Sequence, residues 1–215
     1  MDGGAAFLTK REASGPRRLS AGAADRVSLI LIAALALLFL TQIWAGLALR
    51  GLFADGAFYA AHLWLARGFV IIEPSRLTAQ ILVQAPVVLG MRLGATRPQA
   101  VALLFSLSST LMPLLLTGSA VLILPRSQRH LALIPLFVFL AGSMSSAFAS
   151  VADGPFAAAY CCLLLLMVAV APLSPARLGL ILLLSIGCLR LYESTAFLGP
   201  LLACASWQRA RQTRG

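Results

Sequence analysis

The chain has 215 residues, 60% of them hydrophobic and 11% charged. Soluble domains carry about 25% charged residues, so this balance and the long apolar runs argue against a soluble globular domain and for a membrane-embedded chain. The net charge of +10, from 17 Lys+Arg against 7 Asp+Glu, lies in tails and short connections rather than on a folded basic face. Basic–aromatic interleaving is missing as well, so nucleic acid is not an expected partner.

The runs are apolar on every side instead of alternating, which predicts helices rather than strands. The expected fold class is all-α: a polytopic transmembrane helical bundle of about six spans, with an interfacial helix after the first. Residues 1–26 are polar and contain Lys10, Arg11, Arg17, Arg18 and Arg26, the composition of a disordered cytoplasmic tail. Val27–Leu49 is uncharged throughout and longer than a cleavable h-region of about 7–15 residues, so it predicts a retained signal anchor. Residues 27–207 form the expected transmembrane domain, and 208–215 a basic C-terminal tail.

Gly51–Arg76 is the longest segment between two apolar runs, and it holds Asp55, His62 and Glu73. Asp55–Arg67 predicts a short helix with Asp55 at its start. At 100° per residue, Asp55, Tyr59 and His62 share one face, and Trp64 and the alanines the other, as in a helix lying along a membrane. Pro74 ends this stretch, and Ser75 can cap the helix that follows. Leu77–Gly90 predicts a second span despite Gln80, Gln84 and Pro86. Arg92 and Arg97 flank a turn, and Pro98 suits a first helical position.

Ala100–Leu124 predicts a third span rich in hydroxyls, with Pro113 inside it. Arg126, Arg129 and His130 make a basic turn. Leu131–Phe148 is a fourth expected span and ends in small residues. Asp153-Gly154-Pro155 is a turn or a helix start, and Phe156–Val170 is a fifth expected span. A sixth runs from Ala176, meets Arg190 and Glu193, and stops near Gly199-Pro200. Leu201–Trp207 is too short to span alone. With the N-terminus cytoplasmic, simple alternation puts Asp55, Arg126 and Arg129 outside, and Arg92, Arg97 and Asp153 inside.

Few side chains can carry chemistry. Asp55 has the position of a general base or metal ligand, and equally of a plain helix cap. His62 is a proton carrier or an interfacial ring. Glu73 and Arg76 suit an anionic headgroup or each other. Asp153 either caps the fifth span or joins Asp55 in one site. Arg190 and Glu193 interrupt an apolar helix at a spacing where they touch, so they neutralise each other or Arg190 meets a substrate phosphate. Cys161, Cys162, Cys188 and Cys204 lie in apolar runs without metal-ligand spacing and are expected to be small buried hydrophobes.

At Leu52-Phe53-Ala54-Asp55-Gly56-Ala57-Phe58-Tyr59 the chain resembles the GT-C superfamily of membrane glycosyltransferases, of the protein mannosyltransferase and aminoarabinose transferase type. In that family an N-terminal span leads into an external loop with an acidic motif, followed by helices along the membrane and many further spans. Asp55 stands alone where the family usually has a paired acidic motif. Ser150-Val151-Ala152-Asp153-Gly154-Pro155 is similar to a later small-residue-Asp-x-Pro segment. The resemblance implies Asp55 as catalytic base or metal-proximal carboxylate, a divalent metal as cofactor, and a polyprenyl-phosphate-linked sugar as donor outside the cytoplasm. The expected setting is a plasma or inner membrane, with membrane lipid as partner. The competing expectation is a non-catalytic membrane protein, either a transporter-like bundle or an accessory subunit.

Overall fold

The computed structural model describes residues 21–53, 55–144, 153–170, 174–192 and 199–212, and among them every regular element is helical. The α-helices are α1 (Ala21–Leu47), α2 (Asp55–Ala66), α3 (Leu77–Arg92), α4 (Pro98–Leu122), α5 (Leu133–Val138, continued as a π-helix over Phe139–Met144), α6 (Asp153–Ala169), α7 (Pro175–Cys188) and α8 (Gly199–Gln212). Among the described residues, Arg26–Leu47 and Pro98–Leu122 are long and apolar enough to cross a membrane, whereas Gln128–Gly142, Gly154–Ala169 and Pro175–Cys188 are shorter apolar helices.

Helix α4 is the axis on which the others pack. Helix α1 runs antiparallel to it. Arg129, just beyond α4, donates to the Ser28 hydroxyl, and Thr110 Oγ1 donates to the Gln42 carbonyl at 3.1 Å. Further on, the Gly51 amide donates to Ser106 Oγ at 2.9 Å. Two glycines allow this approach. A Cβ on Gly46 would lie 2.6 Å from Leu107, and one on Gly51 would lie 2.5 Å from the Ser106 backbone. Leu31 and Leu38 complete the contact against Leu114, Val121 and Leu124.

Helix α3 is also antiparallel to α4. Ser108 Oγ donates to the Val83 carbonyl at 2.6 Å, and Gly90 abuts Leu104. The indole of Trp64 on α2 donates to the Thr96 carbonyl at 2.9 Å, so the α3–α4 connection lies beside α2. Ala60 and Leu63 of α2 are buried against Val87, Val88, Met91, Val101 and Phe105. Helices α2 and α3 pack along the first half of α4 and thus form the half of the bundle that α1 reaches last, the cap. The opposite end, holding Ser28 and Arg129, is the base.

Phe156 and Tyr160 of α6 pack with Ala79 at the start of α3, and Leu163, Leu166 and Met167 pack with Val121 and Leu124. Helix α6 therefore runs parallel to α4, from the cap side to the base. Helix α7 returns: the Tyr160 hydroxyl donates to the Leu184 carbonyl at 2.9 Å, and Cys161 and Cys188 bring their sulfurs to 3.8 Å. Helix α8 runs back toward the base, where Arg209 donates to the Ala169 carbonyl.

Helices α1, α3 and α6 pack directly along α4, and α7 and α8 pack on α6. Leu77–Gly90, expected as a second span, lies within α3, and Leu201–Trp207 lies within α8. The six-span reading is not established by length and apolarity, since only the two helices named above meet both requirements.

The α6–α7 packing makes a direct prediction. With Cys162 and Cys204 replaced by Ser, oxidation by copper phenanthroline is expected to join Cys161 to Cys188 within one chain, since thiols this close need only a small shift to reach bonding distance. Peptide mapping checks the link, and two intact thiols after exhaustive oxidation would contradict the packing.

Candidate functional site

Two groups of candidate residues fall at the cap. The first is on α2. Asp55 is the first residue of the helix and is exposed. His62 lies two turns on, on the same face and about 10 Å along the axis. Its Nδ1 is 2.8 Å from the Phe58 carbonyl. A carbonyl only accepts, so Nδ1 carries the proton and Nε2 is left as the acceptor. The ring also rests 4.0 Å from that of Phe58.

Tyr59 departs from the expected face. Its ring stacks on Phe105, at 6.4 Å and 12° between planes, and is turned toward α4. Trp64 is exposed together with Ala57 and Ala61 on one face, and its indole reaches Thr96. The reason is the α3–α4 hairpin, which offers α2 an apolar surface and takes up Gly56, Ala60 and Leu63. Helix α2 is packed on protein along that face rather than simply lying on a surface.

The second group is where α3 begins and α7 ends. The Arg76 guanidinium lies 4.8 Å over the Tyr192 ring. The Thr78 amide donates to the Arg190 carbonyl at 2.9 Å. Thr78 N–H is one of the amides that a helix start leaves without an internal partner. The α7 end supplies the acceptor. Arg76 and Arg190, separated by more than 100 residues in sequence, thereby come to one place, and Arg190 is exposed. Glu193, its expected partner, lies outside the described residues. Glu73 is half-buried at the end of the preceding strap.

Asp153 is the first residue of α6, and its side chain lies outside the described residues. The α3–α4 connection between Arg92 and Arg97 sits beside α2, and Arg129 sits beside the start of α1.

Among the described residues, no three His, Cys, Asp or Glu side chains come together as a metal site. Asp55 and His62 are too far apart to share an ion directly. Among the described residues the donor set does not make up a site for the divalent metal that the family resemblance implies, and no step below is routed through one.

Sequence reading missed Gln80 and Gln84. They stand one turn apart on α3 and hold the extended strap before it. The Val70 amide donates to Gln84 Oε1 at 2.9 Å, while Gln84 Nε2 donates to the Val70 carbonyl at 2.8 Å. Two residues on, the Ile72 amide donates to Gln80 Oε1 at 3.1 Å. The helical repeat of four thus matches the strand repeat of two, since both pairs lie about 6–7 Å apart. The signal was present as two amides in an apolar run.

No family model, curated protein or solved structure matches the chain.

Proposed function

We propose that the protein is a multi-pass integral membrane protein whose cap faces away from the cytoplasm, and that the cap carries a GT-C-like site for transferring a sugar from a polyprenyl phosphate. Membrane insertion is supported by α1, whose apolar window is only 17% buried. A soluble core helix of that length would hide most of its surface, whereas Leu29, Ile30, Leu37 and Leu40 stand outward. Helix α7 likewise exposes Leu182, Leu183 and Ile186. The base holds Arg26, Arg129, Arg177, Arg209 and Arg211, which favours a cytoplasmic base.

The observation that carries the transfer reading is the order of elements at the cap. A crossing helix is followed by an acidic residue, then two helices folded at one end, then a helix leading back, as the resemblance implies. Asp153 begins a later helix at the same end. In this reading the Asp55 carboxylate takes the proton of an acceptor hydroxyl, and that oxygen attacks the anomeric carbon. The bond from that carbon to the phosphate oxygen breaks. The electron pair leaves on polyprenyl phosphate, whose growing charge Arg76 and Arg190 would stabilise. His62 Nε2 is a second acceptor on the same face.

A transporter-like path along α4 finds no support in its hydroxyls. Ser106, Ser108 and Thr110 are bonded to the 51 segment, α3 and α1, and Thr117 to the Pro113 carbonyl, so they hold helices together rather than line a channel.

The test is transfer from radiolabelled polyprenyl-phosphate-linked pentoses and hexoses in membranes containing wild type or Asp55→Asn. Loss of a general base costs about 10²–10⁴-fold, so transfer is expected to fall at least 100-fold. Because Asp55 is exposed, the change should leave folding intact. Equal transfer by both proteins would remove Asp55 from the chemistry and favour an accessory role.

A further inference from the structure

A cleft of about 150 Å³ opens at the far end of α2 from Asp55, lined by Trp64, Arg67, Met91, Arg92 and Thr96. The Trp64–Thr96 hydrogen bond ties its two walls together. Met91 is nearly buried and closes one side, while Arg67 and Arg92 are exposed. Arg67 ends α2 in the left-handed region at φ 50, a conformation that Gly68, the next residue, would adopt at lower cost. No carboxylate is among the lining residues.

We propose that this cleft binds the phosphate of an anionic phospholipid headgroup and anchors the cap to the lipid surface. Two guanidiniums suit a phosphate because each presents paired N–H donors to its oxygens. The surroundings distinguish a lipid from a free anion. Leu65 is 70% exposed and Leu93 79%, each next in sequence to a lining residue, and Phe69 is exposed two residues beyond Arg67. A cleft for a soluble anion has no use for exposed aliphatic and aromatic neighbours. A headgroup brings acyl chains that cover them, with the indole at the depth where Trp concentrates. The 12 residues of α2 separate the cleft from Asp55 by about 16 Å, so it is not the transfer site. The inference rests on the membrane reading above but not on the transfer reading.

Native mass spectrometry of the full chain in detergent, titrated with phosphatidylglycerol or phosphatidylcholine, tests it. Charged hydrogen bonds contribute about 1.5–3 kcal/mol each, so wild type should bind phosphatidylglycerol at least about tenfold more tightly than phosphatidylcholine. R67Q/R92Q should lose that preference, R67K/R92K should keep most of it, and Asp55→Asn should keep all of it. Equal binding of the two lipids, or a preference that survives in R67Q/R92Q, overturns the proposal. Displacement of the lipid by inorganic phosphate at equal concentration overturns it in favour of a free-anion site. Alkaline carbonate extraction of cell membranes tests insertion separately: release of the protein would defeat the membrane reading itself.

Discussion

In a cysteine-free background, a cysteine placed at Leu93 is expected to react with an impermeant thiol reagent added to intact cells, and one placed at His130 to react only after permeabilisation. Both positions are exposed, so access is decided by side and not by burial. Leu93 lies in the α3–α4 connection, next to the Thr96 carbonyl that Trp64 holds against α2. His130 follows Arg129, which bonds Ser28 at the start of α1. Simple alternation from the sequence demands the reverse at both positions, with Leu93 inside and His130 outside. The two arrangements differ by an all-or-none change in labelling. Labelling of His130→Cys alone would restore Leu77–Gly90 as a span and place Asp55 and Asp153 on opposite faces, where no single site could use both.

Gln84→Leu is expected to destabilise the protein by about 2–5 kcal/mol, because it leaves both the amide and the carbonyl of Val70 without their partner, at about 1–3 kcal/mol each. Gln84 is 1% exposed and Val70 half-buried, so water replaces only part of what is lost. Leucine fits the volume and adds apolar contact, which separates the hydrogen-bonding effect from a cavity. The thermal unfolding midpoint in detergent should fall, and limited proteolysis should cut first within 67–73. An unchanged midpoint would mean that the strap is held by its apolar residues alone. Because the strap joins α2 to α3, the variant should also weaken binding at the Trp64–Arg92 cleft.

The helices themselves were largely legible in the sequence, because helix formation is local. Pro98 opens α4 and Pro175 opens α7, each at the first position, where its missing N–H costs nothing. Asp55 begins α2, and Ser174 caps α7 by accepting from the Arg177 amide. The candidate site was legible only as residue types. That Arg76 and Arg190 share one place follows from the Thr78–Arg190 hydrogen bond, which no spacing announces. Cys161 and Cys188 were read as buried thiols, and they are; their pairing across α6 and α7 is a tertiary fact.

What the sequence determined by itself was a helical chain with an uncharged run at Val27–Leu49 and Asp55 at a helix start. Those properties depend on composition within a window of a turn or two. Tertiary structure decided which helices pack together. Hydropathy adds up over a segment and cannot distinguish a helix that continues to the far end from one that folds back beside its neighbour, since both bury apolar residues. Here the two glutamines of α3 tie it to the strap, and Ser108 ties it to α4 as part of the cap. Side assignment alternates with each traverse, so one helix wrongly counted reverses every connection after it.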